Sequence, residues 1–253
     1  MRVFLTGATS GIGEALAHHY AADGAILGLV ARRAAELDRV AAALHPAMVV
    51  TYAGDVRDAQ ALAAAGADFC SRFGAPDIVI ANAGVSRGTL TEDPEDLPAF
   101  RVVFDTNVMG MVNTFAPFVA TMKRERRGIL AGVASIAGFR GLPGAAAYSA
   151  SKAAAISCLE SLRVELHGSG VAVVTLCPGF VVTPLTARNP YRMPFIMQPE
   201  RAAQLMARAI ARRQRFYVLP WQVAWLGRLL RVLPRPLYDR ALAGRKRKPR
   251  HAD

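Results

Sequence analysis

Short apolar runs alternate with longer helical patterns along residues 1–219. The apolar runs have the length and composition of β-strands that are buried on both faces. They are Val3–Thr6, Ala25–Ala31, Met48–Ala53, Ile78–Ala81, Gly128–Ala134, Val171–Cys177 and Arg215–Leu219. The stretches between them predict helices over Gly11–Asp23, Ala34–Leu44, Ala59–Phe73, Ala99–Arg124, Ala145–His167 and Pro199–Arg212. This alternation predicts an α/β fold in which helices cover both faces of a parallel sheet.

The chain length suits one α/β domain or two small ones. With 253 residues, 53% of them apolar, the protein can bury a sizeable core. We see no internal repeat and no linker before residue 219, so we predict one domain over residues 1–219 and an extension over residues 220–253. No apolar stretch of the sequence reaches the ~18–20 uncharged residues that a membrane-spanning helix needs.

The basic residues are concentrated near the C-terminus. Residues 212–253 hold 12 of the 31 Lys and Arg residues and 2 of the 19 Asp and Glu residues, a net charge of +10. Residues 1–211 therefore hold 19 basic and 17 acidic residues, a net charge of +2. An anionic partner is expected only for the C-terminal part, and we expect no nucleic acid because no recognised binding motif is present.

The three cysteines, Cys70, Cys158 and Cys177, have no spacing typical of a disulfide or a metal site. Each lies in an apolar setting, so we expect three small core residues, no metal and a reducing compartment. A first strand that begins at Arg2 leaves no room for a signal peptide. We therefore expect a cytoplasmic protein, with attachment to the inner face of the membrane as an alternative.

A glycine-rich turn joins the first predicted strand to the first predicted helix. It is Thr6-Gly7-Ala8-Thr9-Ser10-Gly11-Ile12-Gly13, with the glycine spacing G-x-x-x-G-x-G. Glycines let the backbone approach a pyrophosphate, and a helix N-terminus offers free N–H groups. The alternative is a plain βα turn, but the position at the start of a βαβ unit favours a dinucleotide site. Its predicted contacts are Gly7, Thr9, Ser10, Gly11, Ile12 and Gly13.

The second predicted strand is followed by Arg32 and Arg33 instead of an acidic residue. An acid near this point would bind the adenosine ribose and favour NAD. Guanidinium groups suit a 2′-phosphate, so the sequence favours NADP(H), while NAD(H) stays open. A solvated helix N-terminus is the alternative explanation, although the helix dipole disfavours basic residues there.

Polar residues also follow the third and fourth predicted strands. Asp55, with Val56 beside it, is a candidate for binding the adenine; an N-cap for the next helix is an equally good explanation of Asp55. Asn82-Ala83-Gly84 ends the fourth strand, where small residues let a cofactor pass. Asn107 interrupts a predicted helix beside Gly110, which helix propensity does not favour.

Tyr148 and Lys152 lie four residues apart on a predicted helix, so their side chains share one face. A neighbouring cation lowers the pKa of a phenol, which is near ~10 when unperturbed. Such a tyrosine can transfer a proton near neutral pH, and the Ser135 hydroxyl could hold a substrate oxygen. Taken alone, the pair is more simply a surface tyrosine beside a solvated lysine.

The chain resembles the short-chain dehydrogenase/reductase family. The matching residues are the Gly7–Gly13 turn, Asp55, Asn82-Ala83-Gly84, Asn107, Ser135, Tyr148, Lys152 and Pro178-Gly179 with Thr183, in the family's order and spacing. The resemblance covers residues 1 to about 218. It implies a single Rossmann-fold domain with seven parallel strands, NAD(P)-dependent chemistry on CH–OH or C=O groups, and a homodimer or homotetramer. Ser10 departs from many NADP-dependent members, which carry a basic residue there.

The resemblance also implies roles for the matching residues. Tyr148 would donate or accept the proton, and Ser135 would orient the carbonyl oxygen. Lys152 would bind the nicotinamide ribose and lower the pKa of Tyr148. Asn107 would hold a relay water. Pro178, Gly179, Val181 and Thr183 would lie at the nicotinamide end.

The segment after Thr183 resembles the mobile substrate lid of this family. Residues 184–197 include the apolar side chains Leu185, Tyr191, Met193 and Phe195, which predict an apolar substrate. Phe139, Leu142 and Pro143 would form the opposite wall. Ordinary packing of a loop is the alternative. Arg188 or Arg192 could instead bind an anionic head group.

The extension combines an amphipathic helix pattern with a basic run. Both tryptophans, Trp221 and Trp225, share the helix with arginines, and the basic run spans residues 245–250. This pattern suits an anionic membrane surface over residues 220–250. A helix that packs on a partner subunit or beside the substrate cleft, with a solvated basic tail, explains it equally well.

The sequence therefore predicts an NADP(H)-dependent carbonyl reductase or alcohol dehydrogenase that acts on a hydrophobic ketone, aldehyde or secondary alcohol. Two alternatives remain open at this point. One is an NAD-dependent alcohol dehydrogenase of the same family. The other is a non-catalytic dinucleotide-binding sensor or scaffold at a membrane surface.

Overall fold

The computed structural model describes residues 1–187, 189–244 and 247–250, and within them one sheet has seven strands, all paired in parallel. In chain order the strands are Arg2–Thr6 (β1), Ile26–Ala31 (β2), Val49–Ala53 (β3), Ile78–Ala81 (β4), Ile129–Val133 (β5), Ala172–Pro178 (β6) and Phe216–Leu219 (β7). Their order in the sheet is β3-β2-β1-β4-β5-β6-β7. The predicted parallel sheet is confirmed.

The helices lie between the predicted strands, with ends that differ from the prediction by one or two residues in most cases. They are Gly11–Ala22 (α1), Ala34–Ala43 (α2), Ala59–Phe73 (α3), Leu97–Phe104 (α4), Gly110–Glu125 (α5), Ala146–Glu165 (α6), Pro184–Ala187 (α7), Pro199–Ala211 (α8), Trp221–Val232 (α9) and Arg235–Leu242 (α10).

The sheet separates two layers of buried side chains, because successive residues of a strand point to opposite faces. In β1, Val3 and Leu5 join a core with α1, α2 and α8, whereas Phe4 joins a second core with α3, α5 and α6. The Phe4 ring packs against Phe69 and Phe118, with centroid distances of 5.6 and 4.7 Å. The fold is therefore the expected α/β sandwich with helices on both faces.

The strand order reverses between β1 and β4. At such a point the loops after the two strands diverge and leave a crevice at the carboxyl edge of the sheet. Gly7, Asn82, Ser135 and Gly179 all follow strands at this edge. Residues distant in the sequence are thereby gathered at one place.

The segment Ala99–Arg124, predicted as one helix, is helical along its whole length, but it is not one uninterrupted α-helix. A π-helical turn, Asp105–Met109, separates α4 from α5 and contains Asn107. The irregularity that Asn107 introduces into the sequence thus corresponds to a real change in helix type. Gly110 follows the turn and lets Val56 pack directly against the helix backbone, since a Cβ at Gly110 would lie 2.6 Å from Val56 Cγ2.

The expectation of three core cysteines is wrong for one of them. Cys177 is buried and Cys70 is partly buried, but Cys158 is exposed on α6. All three are free thiols. The apolar neighbours of Cys158 in the sequence misled the prediction, because a helix turns adjacent residues towards different surroundings.

The C-terminal extension packs beside the loop that follows β5. A Cβ on Gly227 would lie 2.7 Å from the Phe139 ring, so α9 sits directly on that ring. Arg140 Nη1 donates to two carbonyl oxygens at the end of α9, at 2.7 and 3.1 Å. The Tyr238 hydroxyl of α10 donates to the Gly141 carbonyl oxygen at 2.6 Å. Of the helices that the structure describes, none has the length and apolar character to cross a bilayer.

Candidate active site

The glycine-rich turn lies in the crevice between β1 and α1. A Cβ on Gly13 would lie 2.0 Å from the carbonyl oxygen of Gly7, so no larger residue fits at Gly13. Ser10 is extended, and its side chain makes no capping hydrogen bond to α1 among the described contacts. The first N–H groups of α1 therefore remain available to an anion. Thr9, which is buried, and Ile12, which is partly buried, complete the turn.

Asn82 connects this turn to the end of β4. Its Nδ2 donates to the carbonyl oxygens of Thr6 and Gly7, at 3.2 and 3.1 Å. The N–H groups of Asn82 and Ala83 donate to Thr6 Oγ1, at 3.3 and 3.4 Å. Gly84 follows and is exposed. Asn82 thus links the ends of β1 and β4, which lie on either side of the crevice.

Arg32 and Arg33 follow β2 at the same edge of the sheet, and both are exposed. Arg33 occupies the N-cap position of α2. Two guanidinium groups are therefore accessible near the glycine-rich turn. Arg39, which the sequence analysis did not consider, also reaches this region, but it is paired with Glu14 at 2.9 Å and Glu36 at 3.0 Å.

Asp55 lies close to Arg32 and carries a well-defined partner of its own. Hydrogen bonds from the Arg57 guanidinium are the main reason that the pKa of Asp55 is lowered, and Arg32 contributes in the same direction. The N-cap explanation of Asp55 is wrong, because Asp58 caps α3. Val56 is buried and packs against Gly110. Adenine binding by Asp55 and Val56 stays a prediction.

Ser135, Tyr148 and Lys152 meet at the carboxyl end of β5. The Ser135 hydroxyl accepts the N–H of Ala137 at 3.1 Å and hydrogen-bonds the Tyr148 phenol. Lys152 lies one helical turn after Tyr148, and its Nζ donates to the carbonyl oxygen of Val133 at 2.8 Å. This Nζ is 5.9 Å from the centroid of the Tyr148 ring. The structure thus brings the three predicted side chains together.

Burial controls the ionisation of this group. Burial raises the pKa of Tyr148, and the hydrogen bond from Ser135 opposes that increase. Burial lowers the pKa of Lys152 to about 8. The expected lowering of the Tyr148 pKa by Lys152 is not found here, since the ammonium is directed to Val133. Within the described chain, Tyr148 is held in its protonated form at neutral pH.

Asn107, in the π-helical turn, forms hydrogen bonds that link this turn to the same site. Its Oδ1 accepts the N–H of Val85 at 2.8 Å, and its Nδ2 donates to the Val85 carbonyl oxygen and to Ser151 Oγ, at 2.9 and 3.0 Å. Ser151 Oγ in turn donates to the carbonyl oxygen of Tyr148 at 2.8 Å. Sequence reasoning missed Ser151, whose partner lies 44 residues away along the chain. The water-holding role of Asn107 stays a prediction.

The segment after β6 returns to the glycine-rich turn. A Cβ on Gly11 would lie 2.6 Å from Thr183 Cγ2, so these two residues are in contact. Pro178 ends β6, Gly179 follows it, and Val181 is buried. The structure therefore places Thr183 against the glycine-rich turn. The contacts of these residues with a nicotinamide stay a prediction.

The Phe139 ring packs mainly against α9. Its ring stacks on Phe216 with a centroid distance of 6.0 Å, and the Arg231 guanidinium lies 4.9 Å from its centroid. Leu142 and Pro143 follow on the same loop and are exposed. Of the three residues predicted for this wall, Phe139 is therefore largely engaged by the extension.

The predicted lid contributes some of its side chains to the site. Tyr191 is near enough to Tyr148 to raise the pKa of that phenol, although burial is the larger cause. Met193 is partly buried, whereas Leu185 and Phe195 are exposed. Arg192 is exposed as well. Arg188, the other candidate for an anionic head group, lies outside the described residues.

The tail, which we define as residues 247–250, passes over the entrance to this site. Lys248 Nζ donates to Ser86 Oγ at 2.7 Å and lies 5.9 Å from the centroid of the Tyr148 ring. Neither Ser86 nor the position of Lys248 was predicted, because no local pattern links residue 86 to residue 248. The first two residues of the basic run, Arg245 and Lys246, lie outside the described residues.

The arrangement fits a dinucleotide cofactor followed by a carbonyl or hydroxyl group. The Gly7–Gly13 cradle and the free N–H groups of α1 would hold the phosphates, and the exposed arginines after β2 would flank the adenosine. A dinucleotide that extends from the glycine-rich turn towards Thr183 would have its nicotinamide beside Tyr148 and Ser135. A phenol and a hydroxyl at that point can hold an oxygen atom and transfer its proton.

Comparisons with known proteins agree with this geometry. The family model described as short chain dehydrogenase matches residues 1–192. An uncharacterized oxidoreductase of Myxococcus xanthus is 41% identical over 241 residues, which is 94% of each chain. The 11-beta-hydroxysteroid dehydrogenase 1A of Arabidopsis thaliana is 36% identical over 187 residues, 73% of this chain and 53% of that protein.

Two solved structures resemble the fold over most of its length. A short chain dehydrogenase/reductase from Burkholderia phymatum in complex with NAD has a TM-score of 0.83 and 26% identity, covering 100% of this chain and 97% of that one. An alcohol dehydrogenase from Thermococcus sibiricus complexed with 5-hydroxy-NADP has a TM-score of 0.77 and 27% identity, covering 86% and 95%. Both cofactor types are thus represented among the similar structures.

The pKa of Lys152 predicts how activity depends on pH. Lys152 is charged below about pH 8 and neutral above it, because burial lowers its pKa from 10.5. If proton donation by Tyr148 needs that charge, kcat/KM for reduction of a neutral carbonyl compound at saturating cofactor falls by about tenfold per pH unit above about 8. The measurement is a pH–rate profile.

Lys248 provides the matched control for this profile, since burial also lowers its pKa to about 8. Lys248→Gln should retain the decrease above pH 8. A wild-type profile that stays flat up to about pH 10, or a decrease that disappears in Lys248→Gln, contradicts the assignment to Lys152.

Proposed function

Because the chain belongs to the short-chain dehydrogenase/reductase family, we propose that this oxidoreductase uses NADP(H) to interconvert a hydrophobic ketone or aldehyde and its alcohol. The observation that carries the proposal is the convergence of Ser135, Tyr148 and Lys152 at the carboxyl end of β5. Oxidoreductase activity on CH–OH or C=O groups follows from the family. The cofactor preference and the substrate class are our proposals.

The proposed roles follow from the contacts of the three side chains. Ser135 holds the carbonyl oxygen of the substrate by a hydrogen bond, beside the Tyr148 phenol. Tyr148 gives its proton to that oxygen during reduction and takes it back during oxidation. The ammonium of Lys152, directed to Val133 in this structure, turns towards Tyr148 during the reaction and there favours the phenolate that remains after donation. The nicotinamide, when bound, supplies or accepts the hydride.

A preference for NADP(H) is supported by charge at the end of β2. Arg32 and Arg33 are both exposed there, and neither has a carboxylate in ion-pair contact among the described residues. Two accessible guanidinium groups suit the doubly charged 2′-phosphate of NADP(H). Asp55, the nearby acid, is engaged by Arg57 and is therefore less available to a ribose hydroxyl.

A hydrophobic substrate is supported by the side chains around the entrance. Tyr191 of the lid is partly buried near Tyr148, and Met193 of the same segment is partly buried as well. Leu142 and Pro143 lie on the loop after β5. The Arabidopsis thaliana relative is named for a hydroxysteroid, which is an apolar alcohol. We extend to this chain only the apolar character of such a substrate.

A non-catalytic sensor or scaffold is the main alternative function. The hydrogen-bonded Ser135–Tyr148 pair and the buried ammonium of Lys152 argue against it. Burying a charged lysine costs free energy, and an apolar residue could fill a purely structural role without that cost. A dimer or tetramer stays a prediction.

Tyr148→Phe tests the catalytic assignment. Removing the phenol hydroxyl deletes the proton donor, so kcat for NADPH oxidation with a panel of apolar ketones and aldehydes should fall by about 10²–10⁴-fold. NADPH affinity, measured by fluorescence titration, should stay close to that of the wild type. Tyr191→Phe is the matched control and should keep most of the activity. A Tyr148→Phe variant as active as the wild type would overturn the assignment.

Arg32→Asp tests the cofactor preference. The substitution removes charge-assisted hydrogen bonds to a 2′-phosphate, each worth about 1.5–3 kcal/mol, so NADPH should bind about 10- to 100-fold more weakly. NADH affinity should not decrease. Arg124→Asp, an exposed arginine on α5, controls for net charge. Equal losses for both cofactors would contradict the proposal.

We further propose that α9 places the protein on an anionic membrane surface. Trp221 and Trp225 are 68% and 63% exposed, and Leu229 and Val232 continue the same helical face. Exposed arginines on α9 and α10, including Arg235, match a surface of anionic lipids. Charge and apolar surface therefore occur together on the outer side of the extension.

Vesicle sedimentation tests this association. The wild type should sediment with phosphatidylglycerol-containing vesicles and much less with phosphatidylcholine alone, and Trp221→Ser with Trp225→Ser should abolish the difference. Leu97→Ser with Val164→Ser, two exposed apolar residues elsewhere, is the control pair. If the tryptophan variant and the wild type sediment to the same extent, α9 is not a membrane anchor.

A further inference from the structure

The tail brings a second ammonium group to the catalytic tyrosine. Lys152 Nζ and Lys248 Nζ each lie 5.9 Å from the centroid of the Tyr148 ring. Lys152 belongs to α6 and donates to the Val133 carbonyl oxygen, whereas Lys248 comes from the far end of the chain. A second cation that the proposed chemistry does not use therefore lies beside the Tyr148 ring.

The two residues that follow Lys248 hold it in place by specific contacts. Arg250 Nε donates to Asp96 Oδ2 at 2.9 Å, and Arg250 also forms an ion pair with Asp93. Asp96 is 2% exposed, so this partner is a buried carboxylate. The N–H of Gly88 donates to the carbonyl oxygen of Pro249 at 3.1 Å. The tail is therefore a docked part of the structure.

The surface beneath the tail is shaped to receive it. A Cβ on Gly88 would lie 2.4 Å from the carbonyl oxygen of Lys248, so the backbone of the tail rests directly on that glycine. A Cβ on Gly144 would lie 2.7 Å from Arg247 Cβ. Two loops on either side of the entrance thus leave room for the tail only because these positions lack side chains.

Among the residues that the structure describes, the ammonium of Lys248 has no carboxylate partner. Its hydrogen bond is to Ser86 Oγ at 2.7 Å, and no carboxylate of the described residues lies within ion-pair distance. Burial lowers the pKa of Lys248 to about 8, so it is still mostly charged at neutral pH. A partly buried cation without a counter-charge is stabilised by an anion that binds beside it.

We propose that Lys248 completes the substrate site and selects a substrate that carries a carboxylate close to its reacting carbonyl group. The proposal rests on the proposed function and makes it more specific: the substrate is an apolar oxo acid, or the corresponding hydroxy acid. Lys248 donates to the carboxylate while Ser135 and Tyr148 hold the carbonyl oxygen. Ser86 orients the ammonium towards the cleft.

The closest competing explanation is a tail that merely blocks the entrance. A blocking tail would obstruct neutral and anionic substrates alike, and its removal would accelerate both. Recognition by Lys248 would instead act on the charged substrate in particular. Substrates that differ only in this charge separate the two explanations.

The experiment compares meta- and para-acetylbenzoate with their methyl esters. In the wild type, KM should be lower for the acids than for the esters. In Lys248→Gln, the ester-to-acid ratio of KM should fall by about tenfold or more, as expected for the loss of one hydrogen bond between charged groups. Lys248→Arg should restore most of the ratio. Arg235→Gln removes one exposed charge from the same extension and should leave the ratio unchanged.

Calorimetric binding of the same four compounds to the NADPH-loaded protein gives a readout that does not need turnover. The acids should bind more weakly to Lys248→Gln than to the wild type. This loss of affinity should be larger than any loss that the esters show. If no compound is reduced but this loss is measured, the proposed function fails and the recognition site stands. An unchanged acid-to-ester ratio in both measurements, or an equal gain for acids and esters in Lys248→Gln, overturns the proposal.

Discussion

The hydrogen bond from the buried Lys152 ammonium to the Val133 carbonyl oxygen determines how the rest of the site is arranged. A charged group in the interior must be satisfied, and the last carbonyl of β5 is the partner that the fold offers. This contact fixes the rotation of α6 against the sheet. Tyr148, one turn earlier on the same face, is thereby directed to Ser135, which follows β5. The arrangement of the proposed catalytic group thus depends on one strand–helix contact.

Local patterns in the sequence predicted the parts of the structure that local forces determine. The seven strands, the glycine-rich turn and the Ser135–Tyr148–Lys152 group could be predicted from apolar runs and from motifs at strand ends. The π-helical turn around Asn107 could not, because its stability comes from hydrogen bonds to Val85 and Ser151 in other elements. The N-cap was misplaced for a smaller reason: two aspartates lie within four residues of each other, and only the backbone shows that Asp58 is the cap.

The extension shows the limit of sequence reasoning more clearly. Its amphipathic pattern predicted a helix with one apolar side, but the pattern does not say which surface each side meets. In the structure, Gly227 packs on Phe139, while Trp221 and Trp225 face outwards. The tail then returns over the entrance to Tyr148, where Arg250 pairs with the buried Asp96. The docked tail and the exposed apolar face belong to one extension, so the proposed membrane association and the proposed substrate recognition would depend on the same segment.

The most direct measurement of the central claim is isotope transfer. The protein is incubated with NADPH carrying deuterium at C4 of the nicotinamide and with a panel of apolar ketones and oxo acids, and the products are analysed by mass spectrometry. We expect an alcohol product with one deuterium on the former carbonyl carbon. Deuterium should be transferred from only one of the two cofactor stereoisomers that are labelled at C4. Cofactor that binds but transfers no deuterium to any carbonyl compound would contradict it.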